Sequence, residues 1–212
     1  MDFRSLDAVF WDFDGVIKDT LEIKGESFVE VYENLPLKFK QQILKYHYDN
    51  GGMPRMQKFA FWNDKYNIVS DDKKKLVLEQ SIKYESIVLS KLMKCPWNEG
   101  FDLLTKEILD SDCKSFIVSG APRKELLEIL GEYAKYFVEV LGGDKSKTEH
   151  LEDIRAKYGI CLEESIFIGD AESDHIAAND CSIPFILKRH SKNRHLKPGN
   201  CLVEIHSLIE LL

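Results

Sequence analysis

An unbroken apolar run near the start of the chain ends in two aspartates. Residues 8–11 are all apolar, which is typical of a strand buried on both faces of a parallel sheet. Asp12, Asp14 and Gly15 follow at once. Residues two apart in an extended chain point to the same side, so both carboxylates could face one site at the carboxyl end of the strand, where ligands of open α/β sheets bind. An ordinary Asp-Gly turn is the alternative interpretation.

A second stretch far downstream has the same character. A short apolar run there ends in Gly169 and Asp170, and Asp174 follows four residues later. The recurrence of a buried-strand pattern that ends in carboxylates favours a functional site over two unrelated turns.

Strand-like and helix-like segments alternate over the second half of the chain. The predicted strands are residues 7–14, 114–119, 137–141, 165–169 and 185–188, with an edge strand at 202–205. This alternation predicts an α/β protein with a doubly wound parallel sheet. Residues 20–93 contain only amphipathic stretches of helix length, which are separated by proline, glycine and capping residues. We therefore expect an all-helical insertion directly after the first strand.

Composition narrows the possible classes of protein. A net charge of −7 over 212 residues argues against general binding to nucleic acids or anionic membranes. The sequence contains no apolar run of membrane-spanning length and no signal-peptide pattern at its N-terminus. The five cysteines are scattered and have no C-x-x-C spacing, which indicates reduced thiols and a cytoplasmic location.

Polar residues also follow two further predicted strands. Ser119-Gly120 comes after one, and a loop with Lys145 and Lys147 comes after the next. Two carboxylates ~4 Å apart repel each other by ~4 kcal/mol at an effective dielectric constant of ~20, so a cluster of them requires a cation, and oxygen ligands favour Mg²⁺. A hydroxyl group with free backbone amides can bind a phosphate. Together these features predict a phosphoryl-transfer site.

The order of these motifs resembles that of the haloacid dehalogenase (HAD) superfamily of Mg²⁺-dependent phosphotransferases. The motifs are Asp12-Phe13-Asp14-Gly15-Val16, Ser119-Gly120, a lysine, and Gly169-Asp170-x-x-x-Asp174. The chain is most similar to the helical-cap subfamily, which includes phosphoglycolate phosphatase and β-phosphoglucomutase. The resemblance implies a Rossmann-like core at 1–19 and 94–212 and a cap domain at 20–93.

The resemblance also implies roles for the aspartates. Asp12 would attack the phosphorus atom and form an aspartyl-phosphate. Asp14 would be the general acid and then the general base, a role for which we expect a raised pKa. Mg²⁺ would be held by Asp12, by the backbone carbonyl of Asp14 and by Asp170, and Asp174 would support the metal site.

Other residues would bind and neutralise the phosphoryl group. The resemblance assigns this binding to Ser119 and the adjacent amide of Gly120. Of the two candidate lysines we prefer Lys147 to Lys145, because it stands immediately before a helix predicted to begin at Thr148, which is where the lysine of the resembled family usually stands. The presence of Asp14 favours a phosphatase over a dehalogenase.

Two basic features bear on the substrate, which we expect to be a small phosphorylated metabolite, with no protein partner predicted. Arg55, in a cap loop with Gly51-Gly52, could grip a carboxylate or phosphate, or it could be a solvated first-turn residue. The run from Lys188 to His195 could attract an anionic substrate, but a solvated loop is the preferred interpretation. A phosphomutase and a binding or regulatory protein on the same scaffold are the alternative functions.

Overall fold

All 212 residues are described by the structure, which is a computed structural model. Six parallel strands form one sheet in the order β3-β2-β1-β4-β5-β6. The strands are β1 (Ala8–Trp11), β2 (Lys114–Val118), β3 (Glu139–Leu141), β4 (Ile166–Gly169), β5 (Phe185–Lys188) and β6 (Cys201–Ile205). The predicted doubly wound, Rossmann-like sheet is therefore confirmed. The strand order reverses between β1 and β4, which is the place where such sheets bind ligands.

The first strand is shorter than predicted. It ends at Trp11, because the chain then enters a turn in which the amides of Ile17 and Lys18 both donate to the carbonyl of Phe13. Gly15 lies in this turn with φ of +80°, a conformation that favours glycine. Asp12 and Asp14 consequently lie beyond the regular strand.

Eight α-helices accompany the sheet. They are α1 (Leu21–Val31), α2 (Leu37–Asp49), α3 (Arg55–Lys65), α4 (Lys73–Leu92), α5 (Phe101–Asp110), α6 (Arg123–Leu130), α7 (Lys147–Tyr158) and α8 (Glu172–Asp180). None of them combines the length and the apolar character that crossing a membrane requires.

The alternation of side chains along β1 explains the two helical layers. Val9 and Trp11 pack in one apolar cluster with residues of α5 and α6, whereas Ala8 and Phe10 pack in another with residues of α7 and α8. Successive residues of a strand point to opposite faces, so a wholly apolar strand is buried on both.

The helices α1–α4 form the insertion after β1 and pack around aromatic side chains. The ring centroids of Phe28 and Tyr84 lie 4.2 Å apart, and Phe59 and Trp62 are completely buried. These two aromatic residues, which stand at helical spacing on α3, therefore belong to the apolar core, as their pattern predicts.

Candidate active site

Three buried carboxylates meet at the carboxyl edge of the sheet. Asp12 follows β1, Asp170 follows β4 and Asp174 lies in the first turn of α8; their ligand oxygens are all within 4.8 Å of one another. The two strands are neighbours, and the Asp12 amide donates to the Ile168 carbonyl at 2.9 Å. The structure thus brings together residues that are far apart in the sequence.

Asp174 is fixed by the backbone. Its Oδ2 atom accepts hydrogen bonds from the amides of Asp170 at 3.0 Å and Ala171 at 2.9 Å. These two amides immediately precede α8, which begins at Glu172. The carboxylate satisfies them and, in the first turn of the helix, benefits from the helix dipole.

Lys147 is the counter-charge of this cluster. Its Nζ atom lies 2.6 Å from Asp12 Oδ1 and also donates to Asp174 Oδ1. Lys147 is the first residue of α7, one position earlier than predicted, because the Ser146 side chain caps the helix together with Glu149. Lys145 instead forms an exposed pair with Asp153. The structure therefore places Lys147, and not Lys145, at the carboxylates.

The electrostatics of the cluster are those of an incompletely neutralised site. Burial raises the pKa of Asp12 well above its ordinary value, and Asp174 and Asp170 raise it further against the opposing effect of Lys147. Burial also raises the pKa of Asp170, again with a contribution from Asp174. Three carboxylates and one ammonium group leave a net negative charge, and an all-oxygen donor set fits a hard divalent cation.

Gly15 makes room for this cluster. A Cβ atom on Gly15 would lie 2.3 Å from Asp170 Oδ2, which is far inside van der Waals contact. The glycine after the two aspartates is therefore required both by its backbone conformation and by the position of Asp170.

The carboxylate of Asp14 is not part of the cluster. It accepts hydrogen bonds from Thr20 Oγ1 at 2.5 Å and from Lys24 Nζ at 2.7 Å. Burial alone would raise the pKa of Asp14, but Lys24 and the hydrogen bond from Thr20 outweigh this effect and lower it. The raised pKa that we expected for Asp14 is therefore wrong for this arrangement, in which the carboxyl group is ionised.

Ser119 and Gly120 lie in the loop after β2, next to the insertion. Ser119 is buried, and its Oγ accepts a hydrogen bond from the Ala121 amide at 3.2 Å. Gly120 faces the loop between α2 and α3, and both Gly120 and Asp12 line one cavity of about 80 Å³ between the insertion and the core.

Arg55 points from the start of α3 toward the core. Its side chain is only 9% exposed and donates to Glu125 on α6. The interpretation of Arg55 as a solvated first-turn residue is therefore wrong. The carboxylate that Arg55 binds belongs to the protein itself, and no local pattern in the sequence predicts this long-range pair.

The basic loop after β5 is solvated only in part. Ser191, Arg194 and His195 are exposed, whereas two other residues of the loop contact Asp170. His190 Nε2 is 2.8 Å from Asp170 Oδ2, and Asn193 Nδ2 donates to the Asp170 carbonyl at 2.8 Å. Sequence reasoning missed both as site residues. The available signal was the position of the loop after β5, the neighbour of the strand that carries Asp170.

His190 is a neutral hydrogen-bond donor. Burial, together with the positive charge of Lys188, lowers the pKa of His190 to about 4. The Lys192 amide donates to His190 Nδ1 at 3.1 Å, so the proton of the neutral ring resides on Nε2 and is donated to Asp170. This contact orients the Asp170 carboxylate.

A doubly wound sheet with this carboxylate cluster at its switch point and a helical insertion after β1 is typical of hydrolases of the haloacid dehalogenase type. The family model for haloacid dehalogenase-like hydrolases matches residues 9–188, and the chain belongs to this family. No curated protein matches the sequence.

Solved structures of low sequence identity share the fold. A predicted phosphatase from Clostridium acetobutylicum is 20% identical with a TM-score of 0.76, and the match covers 97% of this chain and 96% of that one. A predicted phosphoglycolate phosphatase from Haemophilus somnus is 16% identical with a TM-score of 0.78 and coverages of 98% and 96%. CbbY from Rhodobacter sphaeroides, in complex with xylulose-(1,5)bisphosphate, is 12% identical with a TM-score of 0.77 and coverages of 97% and 96%.

Proposed function

We propose that the protein is a Mg²⁺-dependent phosphatase that hydrolyses a small phosphomonoester through an aspartyl-phosphate on Asp12. The observation that carries this proposal is the buried Asp12 carboxylate, which contacts Lys147 and lies within metal-binding distance of Asp170 and Asp174. The family model supports hydrolysis. The phosphorylated ligand in the CbbY structure supports a phosphorylated small molecule as the substrate.

Asp12, Asp170 and the backbone carbonyl of Asp14 would hold the Mg²⁺ ion, and Asp174 would support them. A bound Mg²⁺ supplies positive charge that lowers the pKa of the carboxylates and offsets the charge of the phosphoryl group. His190 and Asn193 hold Asp170 in place for this role.

Asp12 would act as the nucleophile. One carboxylate oxygen attacks the phosphorus atom, the bond to the leaving oxygen breaks, and a water molecule later attacks the phosphorus atom of the aspartyl-phosphate. Lys147 donates to Asp12 Oδ1, and its positive charge favours the ionised form of Asp12. The Ser119 hydroxyl and the Gly120 amide would bind the transferred group.

Asp14 would move the protons. The leaving oxygen takes a proton from its carboxyl group, and the carboxylate then takes one from the attacking water. Lys24 and Thr20 lower the pKa of Asp14 in this arrangement, so the ionised form suits the second step. The first step requires protonation of Asp14 when substrate displaces one of these contacts.

Hydrolysis is preferred to phosphoryl transfer between positions of a sugar. The mutase alternative depends on a free Arg55, whereas the guanidinium group is paired with Glu125.

We further propose that residues 20–93 are a cap domain over a core of 1–19 and 94–212.

All five cysteines are free thiols, which supports a reducing, cytoplasmic location.

The decisive experiment incubates the purified protein with Mg²⁺ and a panel of sugar, hydroxy-acid and nucleotide monophosphates. We expect release of inorganic phosphate from at least one of them, and a loss of roughly 10³-fold or more with Asp12→Asn. Asp153→Asn, at an exposed surface pair, is the matched control. Unchanged activity of Asp12→Asn would contradict the proposed nucleophile.

A further inference from the structure

Lys58 is a buried lysine that lines the cavity without a carboxylate partner. It lies on α3 and is 2% exposed. Its Nζ atom contacts His47 Nδ1 at 3.0 Å and the His47 carbonyl at 3.5 Å. The other two buried lysines of the site each pair with two carboxylates: Lys24 with Asp14 and Glu125, and Lys147 with Asp12 and Asp174.

The carboxylates nearest to Lys58 are paired with other cationic side chains. Glu125 pairs with Arg55 and with Lys24, and Asp14 pairs with Lys24. Arg55 also lies 4.0 Å from Glu85. Of these three cationic side chains, only Lys58 has no carboxylate partner. A buried ammonium group without a carboxylate partner favours binding of an anion beside it.

Burial strengthens the tendency of Lys58 to bind an anion. It lowers the pKa of Lys58 to about 7, and Lys24 contributes to the decrease, with only partial opposition from Asp14. An ammonium group that has lost its water and gained no counter-ion is destabilised. An anionic ligand beside it would remove this cost.

The N–H donors of Lys58 are not all satisfied by the protein, so a hydrogen-bond acceptor on a ligand would fit beside them. Lys58 donates to His47 Nδ1, so His47 acts as the acceptor that orients the lysine. The ammonium group carries three donors. One forms the hydrogen bond to His47 Nδ1 at 3.0 Å, and a second reaches the His47 carbonyl only at 3.5 Å. The remaining donor matches a carboxylate or phosphate oxygen.

We propose that Lys58, oriented by His47, binds a second anionic group of the substrate, a carboxylate or a phosphate, on the α3 side of the cavity. The inference rests on the proposed function, because it assumes that the phosphoryl group is bound at Asp12. It makes Lys58 a specificity-determining residue and the substrate a phosphomonoester whose leaving part is itself acidic. Arg55 does not take this role, because its guanidinium group is already paired with Glu125.

Matched substrates test the preference. We would compare monophosphates of ω-hydroxy acids of two to four carbons with monophosphates and bisphosphates of diols of the same lengths. For at least one length, kcat/KM is expected to be at least about tenfold higher for the acid or the bisphosphate than for the neutral diol. The better of these two identifies the anionic group.

Substitution tests the residue. Lys58→Met should lower kcat/KM for the anionic substrate by at least about tenfold. It should change kcat/KM for the monophosphate of the neutral diol by less than about threefold. Lys65→Met, at the exposed end of the same helix, should change neither. A preference that survives in a folded Lys58→Met protein overturns the proposal.

Binding to the wild-type protein separates this inference from the proposed hydrolysis. Calorimetry with non-hydrolysable phosphonates that end in a carboxylate, a phosphonate or a hydroxyl group requires neither turnover nor a variant. Tighter binding of an anionic analogue, lost in Lys58→Met, supports the inference even if no phosphomonoester is hydrolysed. Equal binding of all three analogues, or no binding of either anionic one, overturns it.

Discussion

Gly120 in the loop after β2 lies directly against the carbonyl oxygen of Gly52 in the loop between α2 and α3. A Cβ atom on Gly120 would be 2.2 Å from that oxygen, and one on Gly52 would be 2.2 Å from Ser173 Oγ. Gly52 also has φ of +75°. The backbone of the helical insertion thus touches the loop that carries Ser119, and no side chain fits between the two glycines.

Gly120→Ala should separate the insertion from the core. The added methyl group collides with the Gly52 backbone, which cannot rotate away as a flexible side chain would. We expect kcat/KM for phosphomonoesters to fall by about 10- to 100-fold, because displacements of about 1 Å in a catalytic site have effects of this size. Gly199→Ala, where a Cβ would meet nothing within 4 Å, should retain wild-type activity. Full activity of Gly120→Ala would show that the close contact is dispensable.

Lys147→Met and Lys145→Met should behave very differently. Lys147 contacts Asp12 and Asp174, so its loss removes the cation beside the nucleophile and should lower kcat by about 10²-fold or more. Without added metal, the free energy of unfolding should also fall by about 3–5 kcal/mol, because two buried carboxylates lose their partner. Lys145→Met removes an exposed pair and should change both quantities little. Similar kinetics of the two variants would argue against the role of Lys147.

Mg²⁺ should raise the melting temperature of the protein. Binding to the folded state alone stabilises it by about 2.7 kcal/mol when the free ion is at 100 times its Kd. Asp170→Asn removes one ligand from the cluster of three carboxylates and should abolish most of this shift. Calorimetric scans over a range of Mg²⁺ concentrations provide the measurement. A shift of equal size in the variant would place the binding site elsewhere.

His190→Ala should weaken Mg²⁺ binding without removing a ligand. The ring donates from Nε2 to Asp170 Oδ2, and loss of such an orienting contact typically lowers metal affinity by 10- to 100-fold. Titration of activity against Mg²⁺ should therefore show a higher half-saturating concentration, with activity restored at high Mg²⁺. His195→Ala, in the same loop, serves as the comparison. An unaltered Mg²⁺ requirement would mean that Asp170 is held sufficiently by Asn193.

Lys58→Met should stabilise the protein most below about pH 7. The pKa of Lys58 is lowered from 10.5 to about 7 in the folded state, so between these values the unfolded chain binds a proton that the folded protein lacks. Wild-type stability therefore rises with pH over this range, and the cost of the buried charge is fully present below it. Both proteins retain Lys24, His47 and Asp14, so the difference between them reports on Lys58 and on its effect on His47. The melting temperature of the variant should exceed that of the wild type most at pH 6, less at pH 8 and least at pH 10. A difference that does not change with pH would contradict the lowered pKa of Lys58.

The meeting of Asp12 and Asp170 was predictable from the sequence. Carboxyl ends of parallel strands share one edge of a sheet, so polar residues after several buried strands converge there whatever the exact strand bounds. A lysine from the loop after β3 was predictable in the same way, whereas the choice of Lys147 over Lys145 depended on the resemblance to the haloacid dehalogenase superfamily.

The state of Asp14 was not predictable. The rule that residues two apart share a side holds for an extended chain, whereas the strand ends at Trp11 and the chain turns. The direction of the carboxylate is then set by Thr20 and Lys24, and the rotation of α1 about its axis decides whether Lys24 reaches it.

The contacts of Glu125 and His190 could not be predicted from the sequence for a related reason. Each lies on a polar segment whose composition suits a solvated surface, and only tertiary packing aims its side chain at Arg55 or Asp170. The basic loop is folded back by Asn193, which donates to the carbonyls of both Asp170 and Lys188. A pattern of charges does not reveal such a long-range anchor.

The central position of β1 has a consequence during synthesis on the ribosome. Val9 pairs with Ser115 on one side and with Ile166 on the other, so the first strand to emerge completes its hydrogen bonding only after most of the chain has been made. Until then one edge of a wholly apolar strand is open, and such edges are templates for aggregation. A nascent or prematurely terminated chain that lacks β4 is therefore the form of this protein most in need of a chaperone.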